Sequence, residues 1–596
     1  MKNILLIVLT AAAMLAGGTG CKNVLDIDPV DQVTENAVWK DPSLMEAYLS
    51  DVYMGIGLGE FNSTCGLSCL GDEAIWTNGA KAIVQSTITP DNMDLFDNAR
   101  FNYLQWSALY KNIRKCNVFL NETIQAAQTD TSGHIARMRG EIHFLRAYFY
   151  HNLMRMFGGV PLITHVYGLT DSTATARSSF AETIDFIVRD ADSAAALLPL
   201  SYPAEELGRA TKGAALALKS RVLLYAASDL YNINPSGMPE TGYTDASDAD
   251  RRKRWQAAQQ AAEAVMQLGV YKLYRADPEP GDSTAENYAN LFLSKTNDEI
   301  IFNRFVSVDN SAPNVGTWFS PNGYDGWGEN SPIQQMVDSY QMKDGSDFSW
   351  DNSQQAAHPY ANRDPRFYAT VFYDGASWRK RYDDGAPFDP VGIVQAFKTL
   401  TLPDGSTLPG IDTRDGPIEN WNGSYSNYYL RKFLDPNNDH LAVPQEVPWI
   451  FFRYGEILLN YAEASIGLGE YQQARDALNK IRRRAGMPEF SAAVNGTALR
   501  KQYRNERKIE MAFEEQRFFD IRRWMIAPQV MDEKAEGIEI SVKGTDRADR
   551  STYHDYQYKV VDIQDRHWED KMYFAPISRD EIQRNPLLEG HQNPGY

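Results

Sequence analysis

Cysteine is scarce in this chain: four residues in 596, too few for a fold stapled together by disulfides. Long apolar runs are scarcer. Ile4 to Ala16 is an unbroken apolar-to-small stretch of 13 residues, short of the ~20 that a membrane-spanning helix needs, and no later run approaches that length. Positive charge is also in deficit: 59 Lys and Arg face 78 Asp and Glu, a formal charge of −19. Binders of a phosphate backbone neutralise it with clustered Lys and Arg, so no nucleic-acid partner is expected. Catalytic signatures are missing too. There is no Gly-x-Ser-x-Gly elbow, no phosphate-cradling Gly-Lys loop and no His-Glu-x-x-His pair. Glu141 and His143, two apart in a helical pattern, fall on different faces. No catalytic residue, cofactor or metal is assigned.

What is present begins with an export signal. A short basic start, Met1-Lys2-Asn3, precedes the apolar run, and Gly17-Gly18-Thr19-Gly20 leads directly into Cys21. The arrangement is similar to a bacterial lipoprotein signal, in which cleavage removes residues 1–20 and leaves Cys21 as the lipid-bearing first residue. Each buried acyl methylene contributes ~0.8 kcal/mol, so several chains would anchor the protein firmly to a membrane. Residues 21–40 then form a tether, and loss of Lys2 leaves the remainder one unit more negative. In an oxidising compartment Cys65 and Cys69, four apart in a Gly/Ser loop, have a spacing open to pairing. Cys116, in an amphipathic stretch, reads as a buried thiol.

Helical periodicity covers residues 101–127, 135–157, 180–198, 211–228, 255–268, 449–468, 471–485 and 497–525. Gly158-Gly159 with Pro161, and Pro199, supply stop signals. Leu458 to Ala464, then Leu468-Gly469-Glu470-Tyr471 and Ala474, look like a tetratricopeptide unit; residues 214–262 are a looser copy. From about 270 to 448 the period fades and Gly, Pro, Asn and Asp punctuate short apolar runs. Such a stretch must be held against the helices. The expected fold is mainly α: a tetratricopeptide-like helix-pair platform (41–268 and 449–525) carrying an irregular, loop-rich layer (270–448) with a few short strands. Residues 41–596 are expected to form one unit.

Two side-chain patterns call for a choice. Asp435, Asn437, Asp439 and Glu446 fall at positions 1, 3, 5 and 12 of a calcium-loop register, but His440 stands where glycine is needed, so a polar turn is expected. The aromatic surplus (32 Tyr, 26 Phe and 12 Trp) suits sugar binding. The C–H face of a pyranose packs on a flat ring while neighbouring polar groups satisfy hydroxyls. Trp106, Trp255 and Trp524 lie in helical patterns and are expected in the core. Trp76, Trp318, Tyr324, Trp327, Trp378, Trp421 and Tyr425 lie in loops.

Four ordered signatures resemble the SusD/RagB family of outer-membrane nutrient-binding lipoproteins. They are Leu25-Asp26-Ile27-Asp28-Pro29 after the lipid cysteine, Arg139-Gly140-Glu141 through Val160-Pro161-Leu162, Asn505-Glu506-Arg507 through Arg522-Arg523-Trp524, and Pro576-Ile577-Ser578 through Pro594-Gly595-Tyr596. Arg507, Glu510, Glu514, Arg517 and Asp520 recur at three- and four-residue spacing and read as a charged lattice fixing helix registry. The resemblance implies a binding protein rather than an enzyme. It would capture an oligosaccharide and act as the lid of a SusC-like TonB-dependent transporter. A peptide-binding lid and a scaffold without a small ligand remain the alternatives. Carried over by region, the resemblance selects Asp72, Trp76, Asn78, Trp318, Asn322, Tyr324 and Trp327 as glycan-binding residues.

Overall fold

A computed structural model of the chain describes residues 38–76, 79–97, 99–168, 170–233, 242–243, 247–310 and 312–596. The expected export signal, Cys21, most of the expected tether and Asn78 lie outside the described residues.

The helices begin where capping chemistry permits. Asp41 caps α1 (Pro42–Tyr53), and α2 (Trp106–Glu122) and α3 (His134–Phe157) follow. Ser179 and Glu182 form a capping box on α4 (Phe180–Leu197). Thr211 caps α5 (Lys212–Ala227) and Ser247 caps α6 (Asp248–Met266). Each cap satisfies N–H groups that have no acceptor inside the helix. Successive helices pack in a row, α2 on α3, α3 on α4, α4 on α5 and α5 on α6. The row then continues from α6 onto α7 (Tyr454–Leu468) and from α7 onto α8 (Tyr471–Arg484), although residues 267–453 lie between α6 and α7 in sequence. The irregular layer is therefore an insertion between two neighbouring platform helices.

Small residues make that junction possible. A Cβ on Gly467 would lie 2.5 Å from the Trp255 ring, and Ala227, Ala258 and Ala464 complete the cluster around it. Gly469, at φ +81°, closes α7 in the left-handed conformation that glycine adopts without steric cost. Trp106, Trp255 and Trp524 are buried, as their helical spacing implies. Each fully buried Leu or Val in this platform, Leu218 and Val222 among them, contributes roughly 1.5–3 kcal/mol.

Three expected helices are interrupted. In the first, Gln105 is extended and Thr123 leaves the helical region, so residues 101–127 are a 3-10 turn, α2 and a short helix. In the second, Trp449–Arg453 is a strand. Four short strands matter here: β1 (Ala74–Ile75), β2 (Ile300–Arg304), β3 (Ser331–Pro332) and β4 (Trp449–Arg453). β4 pairs antiparallel with β2, and all five of its residues are buried, so pairing overrides the helical pattern that continues into α7.

The third break is in the most distinctive signature. α9 (Gly496–Glu510) and α10 (Gln516–Arg523) are separated by a turn in which Phe513 and Glu515 take φ of +60° and +62°. Left-handed backbone costs such residues roughly 1–2 kcal/mol each. Fixed partners offset it: the Phe513 N–H donates to the Glu73 carboxylate at 2.9 Å, and the Tyr103 hydroxyl donates to Glu515.

The charged residues of that signature are buried and paired. Glu510 receives Arg366, Arg453 and Arg484. Arg453 also reaches Glu299 and Glu514, at 2.7 Å each. Asp520 lies between Arg507 (2.8 Å) and Arg523 (2.7 Å). These pairs tie α8 and α9 to the irregular layer and α9 to α10, as expected of a lattice that fixes registry. Charges so far from water stay tolerable only while every partner is present.

Candidate functional site

Two residue pairs of sheet bring distant loops together. β1 lies antiparallel to β3, with Ile75 opposite Ser331, so Trp76 emerges beside the end of the 315–330 segment. That segment doubles back on itself. The N–H of Trp327 donates to the carbonyl of Thr317 at 2.7 Å, and that of Glu329 to the carbonyl of Trp318 at 2.8 Å. A third loop, 410–425, closes on it: a Cβ on Gly328 would lie 2.6 Å from the Asn422 carbonyl.

The outcome is a set of rings carried on touching loops. Trp327 is 42% exposed, Trp421 62% and Tyr425 42%, high values for side chains that ordinarily bury most of their area. Arg414 braces the third loop by donating to the carbonyls of Trp421 (3.1 Å) and Gly423 (2.9 Å), and its guanidinium lies 4.1 Å from the Tyr425 ring centre. Trp76 is half-buried, with the Arg100 guanidinium 4.9 Å from its ring centre, and Trp318 is also half-buried.

Beneath these rings sits a polar hub. The Asn322 amide donates to the carbonyls of Ile411 (3.2 Å), Thr413 (3.2 Å) and Ile418 (2.7 Å), and its oxygen accepts from the Tyr429 hydroxyl at 2.6 Å. Arg381, also buried, pairs with Asp389 (2.8 Å) and Asp412 (2.7 Å) and donates to the Gly323 carbonyl at 3.0 Å. Its guanidinium covers the Tyr324 ring at 3.8 Å. Saturated in this way, the hub fixes two irregular loops without a sheet.

Three of the residues expected to touch ligand are corrected by this geometry. Asn322 and Tyr324 are fully buried and support the loops from below. Asp72, 4% exposed, is held by Arg517 at 2.7 Å and Lys508 at 3.2 Å. Burial opposes its charge, but the two cations outweigh burial and keep its carboxyl far below the ordinary range. An acidic or amide side chain in a loop is indistinguishable in sequence from one that knits the loop together. Trp378, a further loop aromatic, packs edge-on against Phe372 at 4.8 Å. Trp421 and Tyr425 belonged to the loop aromatics but not to the selected regions. Their signal was local: a Trp-Asn-Gly-Ser-Tyr turn offers no apolar neighbours to bury the rings.

The other polar clusters do different work. In the calcium-like register, Asp435 accepts from the Asn437 N–H, Asp439 accepts from the Leu441 N–H and the Tyr382 hydroxyl, and Glu446 pairs with Lys295 at 3.0 Å. The acids turn to separate partners, and among the described residues no group of three His, Cys, Asp or Glu is arranged to hold a metal. Cys65, Cys69 and Cys116 are buried free thiols, and Cys69 donates to the Asn330 amide oxygen at 2.9 Å. A cleft of about 960 Å³ between residues 342–344 and 352–362 is lined by Asn352, Gln354, His358 and Asn362 among others, with no Trp, Tyr or Phe in its wall.

Comparison with known proteins agrees with this architecture. The SusD family model matches residues 290–596, and a second, described as starch-binding associating with outer membrane, matches residues 30–224. Two SusD-like proteins of Formosa agariphila are 21% and 22% identical over 550 and 510 residues. The matches span 86% and 82% of this chain and 89% and 79% of theirs. A SusD-like protein of Bacteroides fragilis superposes with a TM-score of 0.73 at 29% identity, over 96% of this chain and all of that one. A SusD-like carbohydrate binding protein of the same organism shares the fold, with a TM-score of 0.69 at 24% identity over 92% of this chain and 99% of that one. With a family model matching more than half of its length, the chain belongs to the SusD family.

Proposed function

We propose that this protein is a cell-surface lipoprotein that captures an oligosaccharide and delivers it, as a lid, to a SusC-like TonB-dependent transporter of the outer membrane. The observation that carries the reading is the exposed set Trp327, Trp421 and Tyr425 on loops braced from below by Asn322 and Arg381. Rings presented on a rigid support pack against the C–H face of a sugar with little ordering cost on the protein side. Asn420, Asn422 and Glu419 stand in the same turn and can serve hydroxyls. Trp76 and Trp318, half-buried at the junction with β1, extend the surface. Capture needs no bond chemistry, and the carbohydrate-binding relative with the same fold supports it. The lipid at Cys21 and the segment that follows would tether the lid.

Isothermal titration against neutral and charged oligosaccharides and a peptide set tests the ligand class. Trp327→Ala and Trp421→Ala should each weaken glycan binding roughly tenfold with an unchanged melting temperature. Heat from peptides alone would point to the other branch of the family. Cys21→Ala should move the protein out of the membrane fraction, and co-purification with the transporter tests the lid.

A further inference from the structure

Buried arginines of this protein are matched to acceptors. Arg453, Arg507 and Arg523 face carboxylates. Arg363 and Arg566 make no ion pair but donate to oxygen atoms instead: Arg363 to the carbonyls of Val337, Tyr340 and Pro359, Arg566 to those of Gly71 and Ala74 and to the Gln564 side chain. Arg155, near the end of α3, departs from this. It is 4% exposed, and neither a carboxylate nor any other hydrogen-bond acceptor reaches it among the described residues. Its Nε–H is wholly shielded from solvent.

What holds Arg155 is a ring: its guanidinium carbon lies 4.0 Å from the Phe519 ring centre. Arg522 is held likewise, 3.6 Å from the ring centre of Phe518, and the two rings are 5.0 Å apart. A ring meets the flat face of a guanidinium and leaves the N–H groups at its edge in need of acceptors. Arg522 places two of them, on the carbonyls of Met572 (3.1 Å) and Phe518 (2.8 Å). Burial pushes Arg522 down to about 9, which leaves it charged at neutral pH. Glu515 feels the charge of Arg155, but its carboxylate accepts the Tyr103 hydroxyl and makes no ion pair with the arginine.

The two arginines share a cavity of about 10 Å³, the room that one water-sized particle needs. Phe96, Phe518, Met572 and Tyr573 stand in its wall; every wall residue is buried, and none is acidic among the described residues. Two like charges withdrawn from water around one small space call for an anion beside them, because a guanidinium does not shed its proton at neutral pH. We infer that this cavity binds a single small monovalent anion, chloride in ordinary solution, through the N–H groups of Arg155 and Arg522. A spherical ion accepts N–H donors from any direction, whereas sulfate or an organic carboxylate is too large for the space. Bound there, the ion joins α3 and α10 to the C-terminal segment, where the Ala575 N–H donates to the Met156 carbonyl at 2.8 Å.

Thermal unfolding of the whole protein, with chloride exchanged for gluconate at constant ionic strength, reads the site. Raising chloride from about 1 mM to about 100 mM should lift the melting temperature by roughly 2 °C, because a ligand that binds only the folded state stabilises it by mass action. Arg155→Met should abolish that rise, and so should Arg522→Met, which serves should the first variant fold poorly. Sulfate strengthens burial in any protein through exclusion from its surface, so it should lift wild type and variants equally. Long-wavelength diffraction from crystals grown in chloride should show an anomalous peak within hydrogen-bonding reach of Arg155. No chloride-dependent rise in wild type, the same rise in either variant, or a cavity without anomalous signal overturns the inference, water then being the occupant.

Discussion

Two regions of this protein treat side chains in opposite ways. Around Glu510, the residues with the most chemical character are withdrawn from solvent: Arg453 is 1% exposed and Glu510 fully buried. Around Trp327 and Trp421, the most apolar side chains stand in water while amides, backbone carbonyls and one arginine hold the loops from beneath. The first region commits charge to architecture, and the second leaves apolar rings exposed, where we propose that they serve recognition. The division teaches where to look in such a chain. Its most distinctive signature marks the scaffold, and the proposed ligand contact falls to loops whose sequence has few constraints beyond being held.

Breaking the lattice should have the largest effect. Arg453→Met removes the one cation that reaches Glu299, Glu510 and Glu514 together, leaving Arg484 to the first two, and should cost about 3–5 kcal/mol, read as a fall in melting temperature. Glycan affinity of the folded fraction should not change; a selective loss of binding would mean the two regions are not separate.

Glu73 sits where the regions meet, next to Asp72 and at the start of β1. Burial pushes its carboxyl up from 4.5 to about 7. The folded state therefore holds the proton more tightly than the unfolded one. Its stabilising contribution is complete below pH 4.5 and is lost as pH rises through 7, a loss of roughly 3 kcal/mol. Glu73→Gln keeps an acceptor for the Phe513 N–H and should flatten this dependence. Melting curves at pH 5 and pH 8 check it: the variant should gain on wild type at the higher pH, and parallel curves would contradict the burial argument.

Asn322→Ala tests the support of the loops rather than their surface. Loss of its hydrogen bonds should cost about 2 kcal/mol, raise proteolysis within 410–425, and weaken glycan binding although Asn322 touches no ligand. Intact binding would place the recognition surface elsewhere.

Much of the scaffold was legible in the sequence, because helices announce themselves through period, caps and stops. The α7–α8 pair with Gly469 and the burial of Trp255 follow from spacing, and the charged recurrence from Arg507 to Asp520 announces a lattice without naming its pairs. What was not legible depends on partners distant in the chain. β4 reads as helix until β2 is placed beside it, and the turn at Phe513 and Glu515 exists because Glu73 and Tyr103 hold it. The placement of the candidate site's residues was half legible for the same reason. Exposed Trp327 follows from its loop, whereas the burial of Asp72 depends on Arg517 and that of Asn322 on the 410–425 loop. Trp421 and Tyr425 joined the site only when Gly328 met Asn422.

The central claim is that exposed loop aromatics, and not the buried signature, take the ligand. Calorimetric titration of Trp327→Ala/Trp421→Ala, with a melting curve on the same sample, measures it most directly. The expected result is an oligosaccharide affinity reduced by at least tenfold at an unaltered melting temperature. Wild-type affinity in that double variant would contradict it.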